Sequence, residues 1–157
     1  MKIQLWSLGK PHEASLKTAI DDFTKRISRY FPVEWKIIPV PKNSATLPED
    51  ELKLKEAELI LSLLKKEDYL VVLDEKGKML TSEGLAGFLD SRSNQSIKNL
   101  VFLIGGAYGL HDSIISRANN TWSISALTFP HHLVRLIVAE QLYRACTILK
   151  NEKYHHK

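Results

Sequence analysis

Three short segments hold the residue types and spacings that could do chemistry. Gly105-Gly106-Ala107-Tyr108-Gly109 follows the apolar run Leu100 to Ile104, and Leu73-Asp74 ends the run that starts at Tyr69. Ser123-Ile124-Ser125-Ala126-Leu127-Thr128-Phe129-Pro130 leads into a long apolar-rich segment. Each marks the end of a predicted strand, and ligands of open α/β sheets bind outside the carboxyl ends of strands. Glycines there let the main chain approach a flat ligand closely. The small residues of the third segment leave N–H and C=O groups open to the edge of a purine. Three such ends converging on one pocket carry more weight than any single motif. Taken alone, the glycine segment could equally be a plain turn, and Asp74 reads more readily as a turn cap than as a ligand partner. The spacing is not GxGxxG and no GxxxxGK[ST] occurs, so dinucleotide and nucleoside-triphosphate sites lose support.

A second set of residues lies toward the C-terminus. His131 and His132 open the last predicted helix, with Arg135 one turn beyond. A histidine pair there could be half a metal site, but no third ligand is evident, and the expectation is no metal. His131 and Arg135 could instead face a polyanion, against the plainer reading of a solvated first turn. Glu140 and Arg144 are spaced i, i+4 and read as a surface or interface ion pair. The tail Asn151 to Lys157 is basic and aromatic, and its Tyr154-His155 pair could stack on a base and contact phosphate, although chain ends are often disordered.

The elements that must position these groups alternate between strand and helix. Ile3 to Leu8, Val33 to Val40, Tyr69 to Leu73, Leu100 to Ile104 and Trp122 to Ser125 read as strands, the third and fourth buried on both faces as in a parallel sheet. Glu13 to Tyr30 carries Leu16, Ile20, Phe23 and Ile27 at helical spacing, and Glu49 to Lys66 is acidic at its start and lysine-ended, as the helix dipole favours. Thr81 or Ser82 can cap a helix carrying Leu85, Phe88 and Leu89, a short helix lies around Asp112 to Arg117, and a long one runs to Leu149. Lys42 to Pro48 is polar and reads as a mobile loop, and Glu75 to Lys78 as a turn. The pattern predicts one α/β three-layer domain with a mostly parallel sheet.

Composition sets the outer bounds. The 157 residues fit one domain, and 44% apolar with 25% charged residues excludes disorder and fibrous structure. No apolar run approaches the ~20 residues that a bilayer requires, and the start Met1-Lys2-Ile3-Gln4-Leu5-Trp6 lacks a signal peptide's features. The single cysteine, Cys146, excludes an internal disulfide, and a cytoplasmic location is expected. A net charge of +4 is compatible with a nucleic-acid partner without establishing one. The last helix carries Leu133, Val134, Ile137, Val138, Leu142, Ala145, Cys146, Ile148 and Leu149 over more than half its circumference. One sheet face does not cover so wide an arc, which suggests the same helix of a second copy, with burial inside one chain as the competing reading.

Read in order, these segments resemble one family. Leu73-Asp74 with Gly77 and Ser82-Glu83-Gly84-Leu85-Ala86, Phe102 to Gly109, Ser123 to His131, Arg135, Glu140-Gln141-Leu142-Tyr143-Arg144-Ala145 and the terminal Tyr154-His155 are similar to the bacterial large-subunit ribosomal RNA methyltransferase H family, in the SPOUT class. The resemblance covers the chain from its first strand to its tail. It implies a trefoil knot near the C-terminus, a homodimer, and S-adenosyl-L-methionine as methyl donor. The implied reaction methylates N3 of a pseudouridine in 23S rRNA within the 70S ribosome. It further implies that Leu73, Gly105 and the loop Ile124, Ser125, Ala126, Leu127, Thr128 and Phe129 line the donor pocket, with Gly106 and Pro130 adjacent. His131, Arg135, Tyr154 and His155 become the candidates for the RNA side, the tail reaching the partner's pocket. A methyltransferase of the same class acting on tRNA, or a non-catalytic ribosome-associated protein, are the alternatives.

Overall fold

The computed structural model describes residues 1–106 and 108–156. Its centre is a five-stranded sheet in the order β2-β1-β4-β3-β5, built from β1 (Lys2–Leu8), β2 (Val33–Ile38), β3 (Tyr69–Met79), β4 (Asn99–Ile104) and β5 (Asn120–Ser123). Every pair of neighbours is parallel. Successive side chains point to opposite faces of a strand, so β1 sends Ile3 and Leu5 to one core and Trp6 and Leu8 to the other. β4 does the same with Leu100, Phe102 and Ile104 against Val101 and Leu103. Burial on both faces explains why these strands are continuous apolar runs.

Helices cover both faces. α1 (Ala14–Ile27), α3 (Ser82–Ser93) and α5 (His131–Leu149) lie over one, with α5 packed between α1 and α3. α2 (Glu49–Leu63) and α4 (Asp112–Arg117) cover the other through Ala57, Ile60 and Ile114. The central place of α5 accounts for much of its wide apolar arc. The sheet lies beneath it and a helix on either side, so none of its residues is fully exposed. Burial within one chain thus covers most of that arc, and Leu133, Leu136 and Ile137 remain half-buried.

Several boundaries differ from the sequence reading. α2 stops at Leu63, because Leu64 is extended, so Lys65 and Lys66 lie outside the helix and its last turn holds no basic residue. Lys65 N–H instead donates to Asp68 Oδ2 at 2.9 Å, making a turn into β3. Thr81, not Ser82, caps α3, its Oγ1 accepting from Gly84 N–H at 2.9 Å. β5 begins two residues earlier than expected and ends at Ser123. β3 continues through the expected turn to Met79: Leu73 and Lys78 both pair with Trp122, so Asp74 to Gly77 bulge out between them. Gly77 is needed there, since a Cβ would lie 2.8 Å from Trp122 N and from Thr121 C. A 3₁₀ turn, Ser44–Thr46, lies in the polar loop before α2. Among the described residues no helix is long and apolar enough to cross a membrane.

Candidate functional site

The bulge within β3 and the carboxyl ends of β4 and β5 open into one cleft of about 760 Å³, so the first of the three expected strand ends is a mid-strand bulge. Leu73 and Asp74 come from β3, Gly105 and Gly106 follow β4, and Ile124, Ser125, Leu127, Thr128 and Phe129 follow β5, with His131 at the start of α5. The volume lies in the range of about 300–1,000 Å³ typical of small-molecule sites. Ala126 and Pro130 belong to the same loop without lining the cleft. The walls combine apolar surface from Ile104, Trp122 and Val134 with carboxylates at Glu75 and Asp112 and amines at Lys53 and Lys76.

The two flanking loops are shaped locally. Asp74 Oδ1 accepts from Lys76 N–H at 2.8 Å, the turn-capping role expected for it. Gly109 has φ +83°, the left-handed region that glycine occupies without strain, and its N–H donates to Gly106 C=O at 3.2 Å. In the other loop Ser125 Oγ accepts from Leu127 N–H at 3.0 Å, and Ser123 Oγ donates to Ser125 C=O at 3.1 Å. These short bonds tie the loop to itself, and Leu127 is 72% exposed, as Tyr108, also lining the cleft, is 54%.

His131 stands beside a cluster that the sequence did not reveal. Arg135 is fully buried rather than facing solvent. Its Nε donates to Ser7 Oγ at 2.8 Å, Nη1 to Lys10 C=O at 2.9 Å and Nη2 to Leu8 C=O at 3.4 Å, and Nη1 lies 3.2 Å from His12 Nδ1. The guanidinium therefore fastens the end of β1 to α5 instead of pointing outward. The His131 and His132 rings lie 4.6 Å apart, and His132 Nδ1 accepts from Glu13 N–H at 3.3 Å. Burial first, then His132 and Arg135, lowers the pKa of His131; burial and then Arg135 lower those of His12 and His132. All three imidazoles are thereby biased to the neutral form. Among the described residues no group of three His, Cys, Asp or Glu side chains is arranged to hold a metal ion.

The tail residues lie elsewhere. Tyr154 Oη donates to Glu140 Oε1 at 3.1 Å, and His155 Nε2 lies 2.9 Å from Glu83 Oε1 and its Nδ1 3.3 Å from Arg144 Nη1. Arg144 pairs with Glu140 at 2.5 Å and lies over the Tyr154 ring. Burial, then the Glu140 carboxylate, raises the Tyr154 pKa. The expected Glu140–Arg144 pair thus exists as the centre of a half-buried network. The structure brings His131 together with the three loops, and places Tyr154 and His155 beside Arg144, about 20 Å along α5 by helical rise. His12 and Ser7, both in contact with Arg135, escaped the sequence reading because neither sits in a recognisable motif.

Comparison with known proteins agrees with this architecture. A family model described as predicted SPOUT methyltransferase matches residues 1–155. A ribosomal RNA large subunit methyltransferase H from Cytophaga hutchinsonii is 47% identical over 156 residues, covering 99% of this chain and all of the relative. The protein of that name from Flavobacterium johnsoniae is 48% identical over the full length of both. Among solved structures, one described as a probable methyltransferase from Bordetella pertussis Tohama I superposes with a TM-score of 0.56 at 14% identity, covering 92% of this chain and 96% of the other. That likeness is one of fold. On the family match and the full-length relatives together, this chain belongs to the SPOUT methyltransferases, in the ribosomal RNA large subunit methyltransferase H family.

Proposed function

We propose that this protein transfers a methyl group from S-adenosyl-L-methionine to N3 of a pseudouridine in 23S rRNA, acting as a homodimer on the assembled 70S ribosome in the cytoplasm. The observation that carries the reading is the convergence of the β3 bulge and the β4 and β5 ends on one cleft that also holds His131. The donor is a purine nucleoside with a zwitterionic amino-acid end. The cleft offers Leu73, Ile104 and Phe129 to the purine, main-chain groups at 105–106 and 124–129 to its edge, and Asp74, Glu75, Asp112, Lys53 and Lys76 to the charged end. These residues fit such a ligand. The strand order β4-β3-β5, with the loops after β4 and β5 in one cleft, supports the trefoil knot expected there.

When bound, S-adenosyl-L-methionine supplies an electrophilic sulfonium methyl. The chain's task is then to hold base and methyl in line, where most of the acceleration arises, and to take up the proton that leaves N3. His131 is the residue placed to accept it: it lines the cleft, and its depressed pKa keeps an imidazole nitrogen unprotonated near neutral pH. Arg135 acts as a positioning residue, joining α5 to the β1 end beside His131. Tyr154 and His155 belong to the RNA side, delivered by the tail of the partner copy, and Leu133, Leu136 and Ile137 offer the half-buried surface on which that copy packs.

The test is methyl transfer by the purified protein from labelled donor to 70S ribosomes, free 23S rRNA and tRNA, with mass mapping of the product. Incorporation at one pseudouridine, confined to 70S particles, is expected. Equal labelling of tRNA, or no heat on mixing with the donor, would refute the reading, and an unchanged rate after His131→Asn would remove the assigned proton acceptor.

A further inference from the structure

Behind the cleft, on the α2 side of the sheet, Glu56 is only 5% exposed. It shares its helix face with Leu52, Ala57 and Ile60, all buried. Its neighbours in sequence, Lys53, Leu54, Lys55 and Glu58, give no sign of this, since Glu56 reads as one more charge in a solvated run. Its carboxyl is aimed at the glycine turn: a Cβ on Gly106 would lie 3.0 Å from Oε2 and 3.5 Å from Oε1. The missing side chain of Gly106 is what makes room for it. Burial alone pushes this carboxyl above the usual range, with no charge or hydrogen bond contributing. Burying a carboxyl is costly to the fold, and an apolar side chain of similar size would pack against Ala57 and Ile60 without that cost. Its position therefore points to a role at the turn it touches.

We propose that Glu56 is a positioning residue for methyl-donor binding: its carboxyl fills the space left by Gly106 and holds the turn after β4 in the shape the donor's pocket requires. The inference rests on the donor reading above. Gly106 lines the cleft on one side and faces Glu56 on the other, so a change at Glu56 is felt by the donor through one residue of main chain. Because a carboxyl and a carboxamide have nearly the same shape and both can hydrogen-bond, the amide should substitute for the acid while a methyl should not.

Calorimetry with S-adenosyl-L-methionine and S-adenosyl-L-homocysteine, on the purified full-length protein, tests this. Glu56→Ala is expected to weaken both ligands by about tenfold or more, and to raise the donor KM well beyond its effect on kcat with ribosomes. Glu56→Gln is expected to restore affinity to within about threefold of the parent. Gly106→Ala drives a methyl toward Oε2 and should weaken the donor, whereas Gly106→Ala combined with Glu56→Asp should recover part of that loss, the non-additivity expected of groups in contact. The pair of Gly106 variants decides the matter even if Glu56→Ala fails to fold. Parent-like affinity in Glu56→Ala, or no recovery in the double variant, would overturn the proposal while leaving the donor reading intact. If the parent protein itself binds neither ligand, the donor reading falls, and this inference with it.

Discussion

Arg135→Ala tests the central claim that this side chain is structural support for the cleft rather than an outward-facing contact. The guanidinium is fully buried, and it donates to Ser7 Oγ, Lys10 C=O and Leu8 C=O at 2.8, 2.9 and 3.4 Å. Hydrogen bonds to a charged group each contribute about 1.5–3 kcal/mol, and an acceptor left buried without one costs about 1–3 kcal/mol. Ser7 is itself fully buried, so truncation strands its hydroxyl, while the longer bond to Leu8 counts for less. Burial also lowers the Arg135 pKa, a sign that desolvating the cation offsets part of the gain. The balance places the loss at about 3–5 kcal/mol, most of it from the buried acceptors left without a donor. Against a total stability of about 5–15 kcal/mol this is large. Urea denaturation at fixed protein concentration, followed by tryptophan fluorescence, measures it; Trp35 reports locally, its ring 4.8 Å from that of His12. Arg135→Lys keeps a charge but not the fork, and should fall between parent and alanine variant. A loss below about 1 kcal/mol for Arg135→Ala would refute the assignment, since the stranded Ser7 hydroxyl and two carbonyls should together cost more than that.

The remaining predictions concern separate parts of the molecule. Gly77→Ala puts a Cβ 2.8 Å from the main chain at Thr121 and Trp122, so β5 must shift at a cost of about 1–3 kcal/mol, read as a lowered Tm; an unchanged Tm would show that β3 and β5 are not so close. The pKa values of His12, His131 and His132 are lowered by folding, so the unfolded chain takes up protons first as pH falls. Their contribution to stability is therefore complete above their ordinary value of 6.5 and is lost as pH drops below it toward the folded values. Denaturation midpoints that stay flat from pH 7 to pH 5 would contradict this. Truncation after Lys153 removes the bonds of Tyr154 to Glu140 and of His155 to Glu83; it should lower stability by about 1–2 kcal/mol while reducing methyl transfer to ribosomes far more than donor binding. Equal transfer by the truncated protein would remove the tail from the RNA side.

What could be read from the sequence, and what could not, follows from the range of the forces involved. Tyr69 to Leu73 and Leu100 to Ile104 were readable as buried strands because burial on both faces leaves a continuous apolar run. The extension of β3 to Met79 was not, because Glu75, Lys76, Lys78 and Met79 are exposed and become strand only through pairing with β5. β5 itself was displaced in the reading because Ile124, beyond its end, packs against the core as a strand residue would. Arg135 and Glu56 failed for a common reason: what each is buried against lies about 125 and 50 positions away in the chain, at Lys10 and Gly106, where nothing local in the sequence points to it. The segments after β4 and β5 fared better, since strand ends in a parallel sheet emerge on one edge whatever their separation in sequence, and Leu73-Asp74 joins them through the β3 bulge.

One juxtaposition lies beyond any single copy of the chain. His131 opens α5 in the cleft, while Tyr154 and His155 fold back on Glu140, Arg144 and Glu83, past the middle of the same helix. α5 is an unbroken helix of 19 residues, about 28 Å long, and does not bend back to bring its ends together. If all three side chains serve one substrate, the tail must come from another chain whose α5 runs the opposite way past the cleft. Under the proposed function, two-fold packing through Leu133, Leu136 and Ile137 would supply that arrangement, since an isologous contact exchanges the same elements between two copies. Mixing a His131→Asn chain with a tail-truncated chain should then form heterodimers in which one cleft keeps both parts. Activity in the mixture from two parents that are each inactive is the expected result. Its absence, with heterodimers shown to form, would mean that the tail acts in its own chain or not at all.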